Sequence, residues 1–276
     1  MPIKKTLNVN GSKLNVNNIL IGILVVAAFI IGSLYQKVKF LEKGGGAGTN
    51  TAQQVTQAPN QQAQAEPTVT IDKIKEAFNK SLIKFGSAAS KVIFIEVADP
   101  SCPYCQIAAG KNAELNKQAG ERFTLVADGG TYVAPIPEMK KLVDSGKAAF
   151  AWFYTPGHGN GELGTKALYC ANEKGKFWAV HDKLMTSEGY KLLNETVRND
   201  KAKSGEMAEF LSSAVNPEEM KECLDSGKYD GRLAEDSAIA SGLGVNGTPA
   251  FFVNSVKYAG AYSFKEMEPS VNEALK

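Results

Sequence analysis

A chain of 276 residues has room for one substantial core with appendages, or for two small domains. Its 31 lysines and arginines against 29 aspartates and glutamates carry no nucleic-acid footprint, and a near-neutral surface suits varied protein clients. Of the four cysteines, only Cys102 and Cys105 are close in sequence, which argues against a Cys₄ zinc site, where two close pairs are usual.

No charge falls between Lys13 and Lys37, and Ile19 to Tyr35 is almost wholly apolar. Such a stretch spans about 25 Å as a helix, the short end of what crosses a bilayer. A cleaved signal peptide is the rival reading, but no small-residue cleavage site follows. Residues 1–18 therefore read as a short cytoplasmic N-terminus and 19–36 as an uncleaved anchor. Lys4, Lys5 and Lys13 before the span balance Lys37, Lys39 and Lys43 after it, so charge does not orient it. Cysteine chemistry does, because stable disulfides need an oxidising compartment and place the larger part outside. Residues 37–69 follow as a flexible linker. Its Gly44–Pro67 part, rich in Gly, Gln, Thr and Ala, cannot bury enough apolar area to fold, and reaches about 25–30 Å.

The folded part is expected over 70–276. Ile71, Ile74 and Phe78 mark a short amphipathic helix, and Ile83-Lys84-Phe85-Gly86 an edge strand. Val92 to Val97 is an apolar, β-branched run interrupted by one acid, Glu96, and reads as a buried strand. Asp99-Pro100-Ser101 breaks it, and Cys102-Pro103-Tyr104-Cys105 opens a helix expected to continue toward Leu115. Phe123 to Val126 reads as a short strand, Pro137 to Val143 as a helix, and Ala148 to Tyr154 as an apolar strand. Helices follow at Thr165–Lys174, around Phe177–Leu184, around Met207–Leu211, after the Asn216 N-cap, and at Leu233–Leu243. Gly247-Thr248-Pro249 leads into a hairpin of Ala250–Val253 and Val256–Tyr258. Ser263 and Glu266 then cap a terminal helix in which Pro269 is expected to cause a kink or a late start. The order is α/β with a helical insertion at about 157–243.

A cysteine at a helix N-terminus meets unpaired backbone N–H groups and the positive end of the helix dipole, and both favour the thiolate. Only a thiolate attacks a disulfide, so Cys102 is the candidate nucleophile and Cys105, one turn in, its resolving partner. Glu96 suits a proton relay to Cys105 if burial raises its pKa, and is otherwise a strand residue in a polar pocket. Cys170 and Cys223 fall in different helices of the insertion. A bridge between them is worth roughly 4 kcal/mol in the chain-entropy model, with two buried free thiols the alternative. His158 and His181 lack metal-like spacing and read as structural; the aromatic residues of 177–190 read as core. No metal site and no cofactor are implied.

Taken together, the Cys-Pro-Tyr-Cys helix, the acid six residues before it, and Thr248-Pro249 ahead of Ala250-Phe251-Phe252 resemble the thioredoxin superfamily in its DsbA-like branch. The resemblance covers roughly 70–276. It implies a thioredoxin fold with an inserted helical domain, with Cys102 attacking, Cys105 resolving and Glu96 as the buried acid. It also implies a cis-Pro249 facing the motif, with Pro103, Tyr104 and Thr248 toward the client. The Pro-Tyr dipeptide is similar to that of glutaredoxins and departs from the Pro-His of many DsbA proteins. The expected activity is extracytoplasmic thiol–disulfide exchange with exported proteins, reset by a membrane redox partner, with disulfide formation the expected direction. A reductase or isomerase, or a binding module with a structural CxxC, are the alternatives.

Overall fold

In the computed structural model, which describes residues 69–276, a five-stranded sheet carries the site on one end. Its strands are β1 (Ile83–Phe85), β2 (Val92–Ala98), β3 (Ala148–Tyr154), β4 (Ala250–Val253) and β5 (Val256–Ala259), in spatial order β1-β3-β2-β4-β5. The β2–β3 pair is parallel and every other pair antiparallel. All seven residues of β2 and of β3 are buried, as a continuous apolar run demands of strands covered on both faces.

Alternation along β2 separates two cores. Ile93, Ile95 and Val97 face α1 (Ile71–Lys80), through Ile74 and Phe78, and α10 (Arg232–Gly242), through Ala240. Val92, Phe94 and Ala98 face the opposite way, into the larger core. That core contains α2 (Pro103–Ala109), α4 (Pro135–Asp144) and α11 (Phe264–Leu275). Between β3 and β4 run α5 (Glu162–Glu173), α6 (Phe177–Leu184), α7 (Ser187–Lys191), α8 (Ser204–Phe210), α9 (Pro217–Asp225) and α10. Asn216 caps α9 by accepting from the backbone N–H groups of Glu218 and Glu219, an interaction worth about 1 kcal/mol.

The structure differs from the sequence reading at several joints. The motif helix does not run on to Leu115: it ends at Gly110, whose φ of 65° and close approach to Ala134 leave no room for a side chain. A separate helix, α3 (Ala113–Gln118), restarts behind an Asn112 cap that accepts from the Leu115 N–H. Phe123 to Val126 is not a sheet strand, because its backbone groups bond within their own loop, Tyr132 N–H to Thr124 C=O and Val126 N–H to Tyr132 C=O. The helix expected from Pro137 begins at Pro135, both prolines lying in the first turn. α11 continues through Pro269, on its exposed face, with the Ser263–Glu266 capping box formed. A π-turn over Leu192–Val197, followed by Arg198 and Asn199 at positive φ, has no counterpart in the sequence reading. Among the described residues no helix is long and apolar enough to cross a membrane. The expected N-terminus 1–18, anchor 19–36 and linker up to residue 68 lie outside the described residues.

Candidate active site

β2 delivers the site. Where its ladder ends, the Asp99 carboxylate turns the chain by accepting from Ser101 N–H at 2.8 Å and Ser101 Oγ–H at 2.6 Å. The Cys102 N–H then bonds the Asp99 C=O at 2.9 Å, and α2 starts at Pro103 with Cys102 as its N-cap. The Cys102 side chain makes no capping bond, so its sulfur is left for other partners.

Those partners come from both ends of the chain. The Thr248–Pro249 peptide is cis, and the Thr248 carbonyl oxygen lies 3.5 Å from Cys102 Sγ. This loop covers Cys102, leaving it 4% exposed, while Cys105 is fully buried. The Cys105 thiol is the largest influence on Cys102, bonding its sulfur and favouring the anion. The buried Thr248 hydroxyl, with no other partner, and the backbone N–H groups of Cys105 and Tyr104 act the same way. Against the opposing effect of burial, they bring the Cys102 pKa down to about 6. Cys105 moves upward, first through burial, then through its bond to the Cys102 sulfur and that sulfur's charge, against a smaller lowering by the Asp99 backbone N–H. One thiol is thereby made acidic and its neighbour basic.

Glu96 shares the strand face of Phe94 and Ala98, the side occupied by both cysteines, and pairs across the sheet with Trp152 and Phe251. Neither carboxyl oxygen has a hydrogen-bond partner, and burial raises its pKa to about 8. A carboxyl held neutral near pH 7 beside a basic thiol can pass a proton in either direction.

A family model described as Thioredoxin matches residues 136–273, half of the chain. The chain belongs to the thioredoxin superfamily, in its DsbA-like branch. The matched stretch begins after the Cys-Pro-Tyr-Cys helix and includes the cis-proline loop. The chain is 24% identical over 236 residues to a Rickettsia conorii protein named as a protein-disulfide oxidoreductase, covering 83% of this chain and 73% of that one. It is 21% identical over 199 residues to disulfide bond formation protein D of Bacillus subtilis, covering 69% and 76%. The solved structure of oxidised BdbD from Bacillus subtilis superposes with a TM-score of 0.53 at 20% identity, covering 70% of this chain and 91% of that one. The chain also matches the Na(+)/H(+) antiporter NhaA 3 of Salinispora tropica at 24% identity over 194 residues, spanning about a quarter (24%) of that protein's length.

Several residues of this DsbA-like site were not singled out from sequence. Tyr104, which was expected toward the client, is 49% exposed and packs edge-on against Phe123, which was not; Phe123 continues to Tyr132, with Val126 exposed beside them in sequence. Phe123 and Val126 were hidden by the strand assignment. Tyr190 of α7 was grouped with core aromatics; it is half-buried, and its phenol is pushed up by burial and then by the Cys102 charge. Asn194 holds this segment to the motif by donating to Ser101 C=O at 3.1 Å, and Gln106 donates to Leu184 C=O at 3.0 Å. Pro103 is half-buried beside Cys102.

The remaining named residues lie elsewhere. Cys170 of α5 and Cys223 of α9 form a disulfide with Cα atoms 6.1 Å apart, tying two helices of the insertion. His181 is fully buried, with Nδ1 3.2 Å from Asp182, and His158 lies exposed in the loop after β3. Among the described residues no group of His, Cys, Asp and Glu is arranged to hold a metal ion.

Proposed function

We propose that this protein is a thiol–disulfide oxidoreductase acting on exported proteins, and that it works as a disulfide donor. The observation that carries the reading is the split between the two thiols of one helix turn, Cys102 acidic and Cys105 basic.

In its oxidised form a client thiolate attacks Cys102 Sγ. The Cys102–Cys105 bond breaks, Cys105 leaves with the electron pair, and neutral Glu96 supplies its proton. A second client thiolate then attacks the client sulfur of the mixed disulfide, and Cys102 departs as the thiolate. Two electrons leave the client; Cys105 is left as the thiol and Cys102 as the thiolate, and of the two protons the client thiols released to solvent, one returns to the Glu96 carboxylate. A leaving thiol of low pKa departs faster, and stabilising the reduced form makes the disulfide a stronger oxidant. Tyr104, Thr248 and Pro249 would meet the client chain. Return to the disulfide requires an external oxidant, for which a membrane redox partner beside the 19–36 anchor is the proposed source, on the extracytoplasmic face.

The test is oxidation of a reduced, unfolded protein by the full chain in a glutathione buffer. Catalysed disulfide formation that vanishes in Cys102→Ser supports the reading. A chain that leaves the unfolded protein's rate of oxidation unchanged contradicts it.

A further inference from the structure

Behind Cys102, the turn after β2 and the loop after β3, some sixty residues apart, converge on one carboxylate. Asp99 is fully buried, and its second oxygen accepts from the N–H groups of Gly157 at 2.8 Å, His158 at 3.0 Å and Gly159 at 3.4 Å, in the loop after β3. With the two Ser101 bonds, every contact to this carboxylate is a donor. Ser101 Oγ extends the grip by accepting from Asn160 N–H at 3.1 Å. The packing leaves no slack: a Cβ on Gly161 would stand 1.8 Å from Asp99 Oδ1, and one on Gly157 1.8 Å from Thr248 Oγ1.

We propose that Asp99 is a positioning residue for the thiol chemistry, holding at one point both the helix start and the loop that seats Thr248 against Cys102. The proposal rests on Cys102 being the reacting thiol. Its first arm is the Ser101 turn, which sets where α2 begins and so aims the N–H groups of Tyr104 and Cys105 at the Cys102 sulfur. Its second arm is Gly157, the floor against which the Thr248 hydroxyl lies. Two of the donor sets that favour the Cys102 anion, beside the Cys105 thiol, thus depend on one side chain. A third tie links the same turn to Cys105, which accepts from the Asp99 backbone N–H at 3.5 Å.

Other titratable groups face this arrangement. Cys105 lies on α2 itself, Glu96 on β2, Tyr154 at the end of β3, His158 in the loop and Tyr190 on α7. Among them, Tyr154 feels the Asp99 charge, and Tyr190 that of Cys102. The charge and the positioning effect of Asp99 have opposite signs. Removing a buried negative charge by itself would make the Cys102 anion easier to form, whereas losing the two donor sets makes it harder.

The experiment is Asp99→Asn in the full chain, reading the pH dependence of Cys102 alkylation by mass spectrometry. An amide accepts at only one of its two heads, so it cannot serve both Ser101 and the loop. The expected result is a higher midpoint, with alkylation near pH 5 slowed at least tenfold, which is one pKa unit in the thiolate fraction. A folded Asp99→Asn protein with an unchanged or lower midpoint overturns the proposal. If that variant does not fold, Gly157→Ala decides: it displaces the Thr248 hydroxyl with Asp99 intact, so a raised midpoint supports the seating role and an unchanged one overturns it. Alkylation of Cys102 needs no client, so a normal midpoint shift with no client oxidation would count against the functional reading alone.

Discussion

Cys102 Sγ lies 3.5 Å from the carbonyl oxygen of Thr248, a residue 146 positions later in the chain. The contact joins the N-terminus of α2 to the loop ahead of β4, so the reactive sulfur is set by the whole fold rather than by the motif. The Thr248 hydroxyl contributes separately to the low pKa.

Thr248→Val keeps the carbonyl and the shape but removes that hydroxyl. The Cys102 midpoint, read from alkylation rate against pH, is expected to rise from about 6 while staying below the ordinary thiol value, because Cys105 and the helix N–H groups remain. A midpoint unchanged by the substitution would show that the hydroxyl has no part in it.

Cys105→Ala is expected to accumulate mixed disulfides with client proteins, and Cys102→Ala to accumulate none, since Cys105 is fully buried and basic. The first variant also loses the largest influence favouring the Cys102 anion, so its capture rate falls most steeply below neutral pH. Equal trapping by the two variants, scored on non-reducing gels, would reverse the assignment.

Glu96→Gln is expected to stabilise the fold while slowing turnover. The folded pKa of about 8 lies above the ordinary 4.5, so the native state retains a proton that the unfolded chain releases between those values. Stability therefore falls as pH rises through that interval, and the substitution removes the loss. The gain is expected to be small near pH 4.5 and on the order of 3 kcal/mol at pH 7, by urea unfolding. Resolution of the mixed disulfide at neutral pH should slow; an unchanged rate would remove the proton role.

Replacing Cys170 and Cys223 together by alanine is expected to cost roughly 4 kcal/mol through the loop-closure entropy restored to the unfolded chain. The Cys102 alkylation profile should stay as it was, because the two sites share no residue. A shifted profile would mean that the helical insertion communicates with the thiol site.

Much of this architecture is legible in the sequence, for physical reasons that differ from place to place. The apolar runs of β2 and β3 admit little except buried strands, and the Asn216 and Ser263 caps announce their helices. Cys102, Cys105 and Glu96 carry their chemistry in residue type and offset. The break at Gly110 was missed because it depends on contact with Ala134, a neighbour distant in sequence. The loop at 123–126 has β-favouring residues but finds its partners locally. Asp99 read as a strand breaker because the three N–H groups its second oxygen accepts belong to a loop some sixty residues away. Tyr190 likewise becomes part of the site only through the fold that sets the π-turn segment beside the motif.

The most direct measurement is the reduction potential of the Cys102–Cys105 pair, by titration of the purified protein against glutathione. On the proposed function, the anion-favouring groups around Cys102 would make the disulfide oxidising, and Pro-Tyr in place of Pro-His would temper it. The account predicts a value between about −200 and about −120 mV. A value near about −270 mV, in the range of reducing dithiols, would contradict the disulfide-donating direction and make the protein a reductase.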